Sequence, residues 1–178
     1  MGGSKPARLV GGRPLISYPL AALGAVCARV VVVAKPGTEL PPDCERWDEP
    51  PEPRHPLTGI VYALERAEGA LLCCAADMPF VTPAACRALL NAPTADATVA
   101  EADGVLQPVF AVYMPSALGP LRAAPRDAAL RAVLEGLRVT RVPLPADVVR
   151  SVDTPEDLAA AERELLQKRR STPPRRAR

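Results

Sequence analysis

Aromatic side chains are scarce: two Phe, one Trp and three Tyr make up 3% of the 178 residues. A core with so few rings has to be packed from Ala, Val and Leu. Histidine is nearly absent too, with His55 alone. The five cysteines (Cys27, Cys44, Cys73, Cys74 and Cys86) form no C-x-x-C pair. That removes the usual zinc-ligand patterns and leaves reduced, small apolar cysteines as the expectation. Long apolar runs are missing as well. The longest candidates, around Val30–Ala34 and Ala70–Ala76, are strand-sized, far short of the roughly 20 residues that span a bilayer. The N-terminus lacks the charged-then-apolar pattern of a secretory signal. These absences point to a cytoplasmic protein with no membrane role.

What is present suits one globular domain. The chain is 48% hydrophobic and 24% charged, and its length suffices for a sizeable single core. The formal charge of +2 hides an asymmetry. Residues 168–178 hold six Lys/Arg and no acid, which leaves 16 basic against 20 acidic residues elsewhere, a balance of −4. The reading is a domain over residues 1–166 and a basic, disordered tail over 167–178. No aromatic residue interleaves the tail's charges, so a nucleic-acid role is not expected.

The pattern alternates strands and helices. A helix is expected over Pro14–Cys27, kinked or delayed by Pro19. A β-branched strand follows at Arg29–Ala34 and ends at Lys35-Pro36-Gly37. Residues 41–56 carry six prolines and read as an extended loop. Leu57–Glu68 reads as a helix, and Ala70–Ala75 as a second buried strand. Thr82 caps a helix with Pro83 at its first position. Strands are expected at Ala97–Ala100, Leu106–Tyr113 and Val139–Leu144, with two amphipathic helices over Ser116–Leu137. The last helix starts at Thr154-Pro155-Glu156-Asp157. Such alternation means a mostly parallel sheet covered on both faces, a three-layer α/β/α sandwich. Ligands of such sheets bind beyond the carboxyl ends of the strands.

That edge selects the candidate residues. Asp77 directly follows a strand, and Pro79 fixes a turn after it. A carboxylate there can hold magnesium, or simply make a local turn bond. Gly2-Gly3-Ser4-Lys5 can offer backbone amides and a cation to phosphates, although a loose chain start looks the same. Asp48 could accept bonds from a ribose or a base, or be a solvated loop acid. Asp153 stands just before the last helix, where it could face the same edge as Asp77.

These segments together resemble a known family. Met1-Gly2-Gly3-Ser4-Lys5 and Gly12-Arg13-Pro14-Leu15-Ile16 are similar to the second half of the nucleotidyltransferase signature L-A-G-G-x-S-x-R-M-G-x-x-K, then G-x-P-L-I. Pro56-Leu57-Thr58-Gly59, Asp77-Met78-Pro79-Phe80, Gln107-Pro108-Val109-Phe110-Ala111 and Thr154-Pro155-Glu156-Asp157-Leu158 continue the match in family order. The pattern resembles the molybdenum cofactor guanylyltransferases over residues 1 to about 166. It implies a fold of the nucleotide-diphospho-sugar transferase type. It implies transfer of GMP from GTP to a molybdopterin cofactor, with Mg2+ as the metal. Molybdoenzymes or other cofactor-biosynthesis proteins are the partners it suggests.

By the same resemblance, Lys5 contacts the nucleotide phosphates, and Gly2 and Gly3 belong to the nucleotide loop. Asp48 binds the nucleotide, and Asp77 binds both metal and nucleotide. Two departures stand out. The family often has Asn-x-Asn before the last motif, where this chain has Ser151 and Asp153; Asp153 is an additional candidate metal ligand. Met1 coincides with an internal methionine of the signature. The expectation is therefore an upstream in-frame segment of about 15–20 residues that supplies the first strand and the glycine loop. Other readings share these motifs: another cytidylyl- or guanylyltransferase of the superfamily, or a degenerate nucleotide-binding protein without catalysis.

Overall fold

The computed structural model describes residues 5–93 and 95–171 of the chain, with the side chains of Lys5 and residues 169–171 outside the description. A 3-10 turn, Lys5–Ala7, leads into a small hairpin of β1 (Leu9–Val10) and β2 (Arg13–Pro14). Gly11 and Gly12 turn it with φ of 56° and 77°, the doubly left-handed geometry of a two-residue hairpin. Helix α1 (Ser17–Gly24) follows. It is shorter than the expected 14–27 because residues 13 and 14 belong to the hairpin. Pro19 lies in its first turn, where the missing N–H had no helical acceptor anyway.

Strand β3 (Val32–Ala34) pairs in parallel with β4 (Arg46–Asp48). The proline-rich stretch was expected to be a loop throughout; β4 is a short strand within it. Helix α2 (Pro56–Arg66) starts at His55, whose Nδ1 accepts from Leu57 N at 3.2 Å. The lone histidine is a cap. Strand β5 (Leu71–Cys74) follows, then α3 (Pro83–Asn91), capped as expected by Thr82 Oγ1 accepting from Ala85 N at 3.1 Å.

Strands β6 (Ala97–Ala102) and β7 (Val105–Tyr113) form a hairpin through Asp103-Gly104, with φ of 49° and 76°. The expected helical region after it contains α4 (Leu118–Ala123) and α5 (Leu130–Leu134). Strand β8 (Val139–Pro143) and helix α6 (Pro155–Ser171) complete the chain. Helix α6 runs past 166, so residues 167–171 of the expected tail are helical. The remainder, 172–178, lies outside the described residues.

The main sheet has the order β5-β7-β6-β8. Its pairing β6–β8 is parallel, while β7 is antiparallel to both β5 and β6. The α/β class is as expected, but the sheet is mixed because the Asp103-Gly104 hairpin reverses one strand. Residues 108–110 form a bulge in β7 between the pairs Val99–Ala111 and Ala100–Gln107. Pro108, with no N–H to donate, sits in it.

Helices cover both faces. On one, Leu57, Ile60 and Leu64 of α2 pack with Leu121 and Val133 against Val99, Ala111 and Tyr113. On the other, Ala22, Ala85, Cys86 and Leu89 pack against Ala100, Phe110 and Val112. Helix α6 docks through Ala161 and Leu165 on Val10, Leu15, Phe80 and Val152. No helix among the described residues is long and apolar enough to cross a membrane.

One ion pair joins the lower ends of β6 and β8. Asp96 accepts from Arg138 N, Nε and Nη2 at 3.0, 3.0 and 2.9 Å and from Ser116 Oγ at 2.8 Å. The Arg138 side chain first, then its backbone N–H and Ser116, hold the Asp96 carboxyl well below the usual carboxylate range. Its folded value lies below its unfolded value of about 3.9. Its stabilisation is therefore present above that pH and lost as pH falls below it. Asp96→Asn should lower the urea midpoint at pH 7 and flatten its decline between pH 5 and pH 2, measured by denaturation across that range.

Candidate functional site

The carboxyl ends of the strands carry the polar residues. Asp77 is half-buried directly beyond β5, in a turn where Met78 N donates to Ala75 O at 3.4 Å. Met78 and Phe80 are 2% and 5% exposed, so the D-M-P-F segment is anchored by its apolar members and presents its acid. Phe80 packs with Val152 and Leu165, and the Arg150 guanidinium lies 4.3 Å over its ring. Val152 N then donates to Asp77 O at 2.9 Å.

That bond ties two segments 75 residues apart and brings Asp153 beside the Asp77 turn. Asp153 is exposed, and its Oδ2 accepts from Ser151 Oγ at 2.7 Å. The next residues form the expected capping box: Thr154 N donates to Asp157 Oδ2 at 2.9 Å, and Asp157 N donates to Thr154 Oγ1 at 3.1 Å. The cap holds the start of α6 and with it Asp153.

Asp48 ends β4, in register with Ala34, and its Oδ1 accepts from Arg46 Nε at 2.6 Å. It lies on the β3–β4 pair, not on the sheet that β5 joins. Lys5 opens the first turn, but its side chain lies outside the described residues, as do Gly2 and Gly3.

Two residues at this edge were missed from the sequence. Lys35, just beyond β3, donates from Nζ to Pro53 O at 2.9 Å and lies 3.5 Å from Glu49 Oε2. Glu49 Oε2 is buried and makes no hydrogen bond among the described residues. A Cβ on Gly59 would come within 3.3 Å of it. Gly59, in the first turn of α2, thus lets the carboxylate approach the helix N-terminus, which favours negative charge. For Lys35 the expected strand just before it was the available signal; for Glu49, inside a stretch read as loop, there was none.

The cysteines have no place in this chemistry. All five are free. Burial pushes the Cys73 thiol up to about 12 and the Cys86 thiol up to about 11. They are neutral at physiological pH, so they are poor nucleophiles.

The arrangement is an α/β nucleotidyltransferase fold with an acidic edge. The structure of molybdopterin-guanine dinucleotide biosynthesis protein A from Archaeoglobus fulgidus superposes with a TM-score of 0.74 at 24% identity, over 92% of this chain and 91% of that one. The 2-C-methyl-D-erythritol 4-phosphate cytidylyltransferase of Thermus thermophilus also gives 0.74, at 21% identity, over 93% and 95%. These likenesses establish the fold. The MobA-like NTP transferase domain matches residues 1–142, and the chain belongs to that family. A probable molybdenum cofactor guanylyltransferase of Bacillus licheniformis is 37% identical over 111 residues, 57% of this chain and 55% of the relative. The chain therefore matches about half the length of that curated relative.

Two outcomes check this geometry. Lys35→Met should cost about 1–3 kcal/mol by chemical denaturation, because a buried carboxylate loses its ion pair. Adding Glu49→Leu should recover part of it. The thiols stabilise the fold below the unfolded thiol value of about 8.5 and lose that contribution as pH rises toward 12. Iodoacetamide at pH 8 should therefore modify Cys73 and Cys86 much more slowly than the same residues in urea, measured by mass spectrometry.

Proposed function

We propose that this protein transfers GMP from GTP to a molybdopterin cofactor and releases pyrophosphate. The observation that carries the reading is the Asp77–Val152 bond, which places two acids, Asp77 and Asp153, at one end of the sheet in a MobA-like domain. The name of the Bacillus licheniformis relative supports the nucleotide and acceptor.

The residues suit magnesium. No group of three or more His, Cys, Asp or Glu that could hold a metal exists among the described residues. Magnesium asks for less: one or two carboxylates, with phosphates and water completing the shell. Asp77 would hold it, with Asp153 as a second ligand. Bound there, Mg2+ supplies charge neutralisation on the triphosphate.

The protein's own part is positioning. Lys5, with Gly2 and Gly3, is assigned to the phosphates, and Asp48 to the ribose or base. A molybdopterin phosphate oxygen forms the new bond to the α-phosphorus of GTP, and the bond from that phosphorus to the bridging β-oxygen breaks. Pyrophosphate leaves with the electron pair. No covalent enzyme intermediate is required. The cytoplasm, where GTP is available, is the proposed compartment.

The test is pyrophosphate release by the purified protein given molybdopterin, Mg2+ and either GTP or CTP. GTP should be preferred; a preference for CTP would instead assign the chain to the cytidylyl branch of the fold. Asp77→Asn should lower the rate at least about 100-fold, with circular dichroism unchanged. Full activity in that variant overturns the metal assignment, and binding of GTP without turnover in the wild type overturns the transfer reading.

A further inference from the structure

The hairpin that follows the Lys5–Ala7 turn is closed by Gly11 and Gly12. Position 11 needs glycine for two reasons. Its φ is 56°, and a Cβ there would stand 3.3 Å from Tyr18 Oη. That close approach brings two side chains onto a single peptide group. Val10 O accepts from Tyr18 Oη at 2.7 Å, and Gly11 N donates to Glu162 Oε1 at 3.0 Å. The carbonyl and the amide of a trans peptide point opposite ways. Tyr18 of α1 and Glu162 of α6 therefore grip the Val10–Gly11 peptide from its two sides.

Each side of this clamp leads to a part of the candidate site. Leu15 N donates to Arg8 O at 2.7 Å and Ile16 N to Pro6 O at 3.2 Å, so the backbone of the Lys5–Ala7 turn moves with the hairpin. Helix α6 belongs to the acidic edge. Its capping box sits next to Asp153, and its Leu165 packs with Phe80 of the Asp77 turn. Ala161 and Leu165 also pack with Val10, but apolar contact is non-directional and by itself lets the hairpin rock on the helix. Two hydrogen bonds to one peptide remove that freedom. The Glu162 bond is exposed, so it adds little to global stability.

We infer that Tyr18 and Glu162 are positioning residues: their clamp on the Val10–Gly11 peptide sets the Lys5 turn at a fixed place relative to Asp77 and Asp153. They act through the hairpin, not on the reacting atoms. The inference rests on the nucleotidyl-transfer reading, in which the Lys5 turn meets the phosphates and the acids meet the metal. Without the clamp the nucleotide itself has to order the hairpin, and that ordering is subtracted from its affinity. The fully bound state is unchanged. The signature is weaker nucleotide binding with turnover at saturation preserved.

The experiment measures GTP binding in the presence of Mg2+, and the transfer rate at saturating GTP, for the full chain and for Glu162→Ala, Glu162→Gln and Tyr18→Phe. Glu162→Ala and Tyr18→Phe should each raise the dissociation constant about tenfold, the order of one lost hydrogen bond. Turnover should stay within about twofold of the wild type and Tm within about 5 °C. Glu162→Gln should bind like the wild type, because its amide oxygen still accepts from Gly11 N. Hydrogen exchange at the Gly11 amide should quicken in Glu162→Ala and not in Glu162→Gln. Unchanged GTP affinity in Glu162→Ala, with its Gly11 amide exchanging faster, overturns the inference. So does a fall in turnover at saturation without a change in affinity, or a larger fall in Tm, which marks a purely structural role. A wild type that binds CTP in place of GTP is compared with its variants in the same way, using CTP. A wild type that binds neither nucleotide removes the transfer reading and this inference together; wild-type transfer matched by all three variants removes this inference alone.

Discussion

The Asp103-Gly104 turn sends the chain back on itself, and β6 and β7 then pair over most of their length. Both faces of that ribbon are covered. Thr98, Val99, Phe110 and Tyr113 are each fully buried, and Tyr113 Oη donates to Pro108 O at 2.7 Å across the bulge. Among the described residues, the ribbon is the only part of the sheet with a strand on each side: β5 flanks β7, and β8 flanks β6. Helices α2, α4 and α5 take their packing surface from one of its faces and α3 from the other. The positions of Asp77 and Asp153 at the acidic edge are inherited from it.

Asp77 reaches the edge because β5 is aligned by β7, and Asp153 because β8 is aligned by β6. Backbone pairing delivers both chain segments to one place, and the Val152 N to Asp77 O bond closes the gap. Phe80 makes that closure robust, held between Val152 and Leu165 and capped by Arg150. The β3–β4 pair stands apart from this scheme. It packs against α1 and α2 instead of pairing with a strand of the main sheet, and the Lys35–Glu49 pair holds its own two strand ends together. Its residues Val32 and Val33 remain half-buried, although their apolar, β-branched character reads as a strand covered on both sides.

Much of the architecture was legible. Thr82-Pro83 and Thr154-Pro155 announce two helices because a side-chain oxygen and a missing N–H are each suited to a helix start. The β-branched runs announce strands, and the acid after Leu71–Cys74 marks the ligand edge. Less legible were the sheet's direction and its width. Asp103-Gly104 encodes an antiparallel turn locally, but its effect on the order β5-β7-β6-β8 depends on which strands are free to pair. Lys35 and Glu49 escaped notice because neither carries an unusual local pattern. They matter through an approach that Gly59 permits, 10 residues beyond Glu49 in sequence and adjacent only in the fold.

The amino-acid sequence determined most of the elements, the Thr82 and Thr154 caps and the family to which the chain belongs. These rest on interactions within a few residues: a cap bond, a turn φ, or the alternation of apolar side chains. Only the tertiary structure decided that the Asp77 turn and the segment just before Asp153 are joined by a backbone bond, and that Glu49 lies beside Gly59 and Lys35. Those relations depend on strand pairing and helix packing between segments tens of residues apart. No local pattern encodes them, because the free energy that fixes them is released only when the whole sheet is covered.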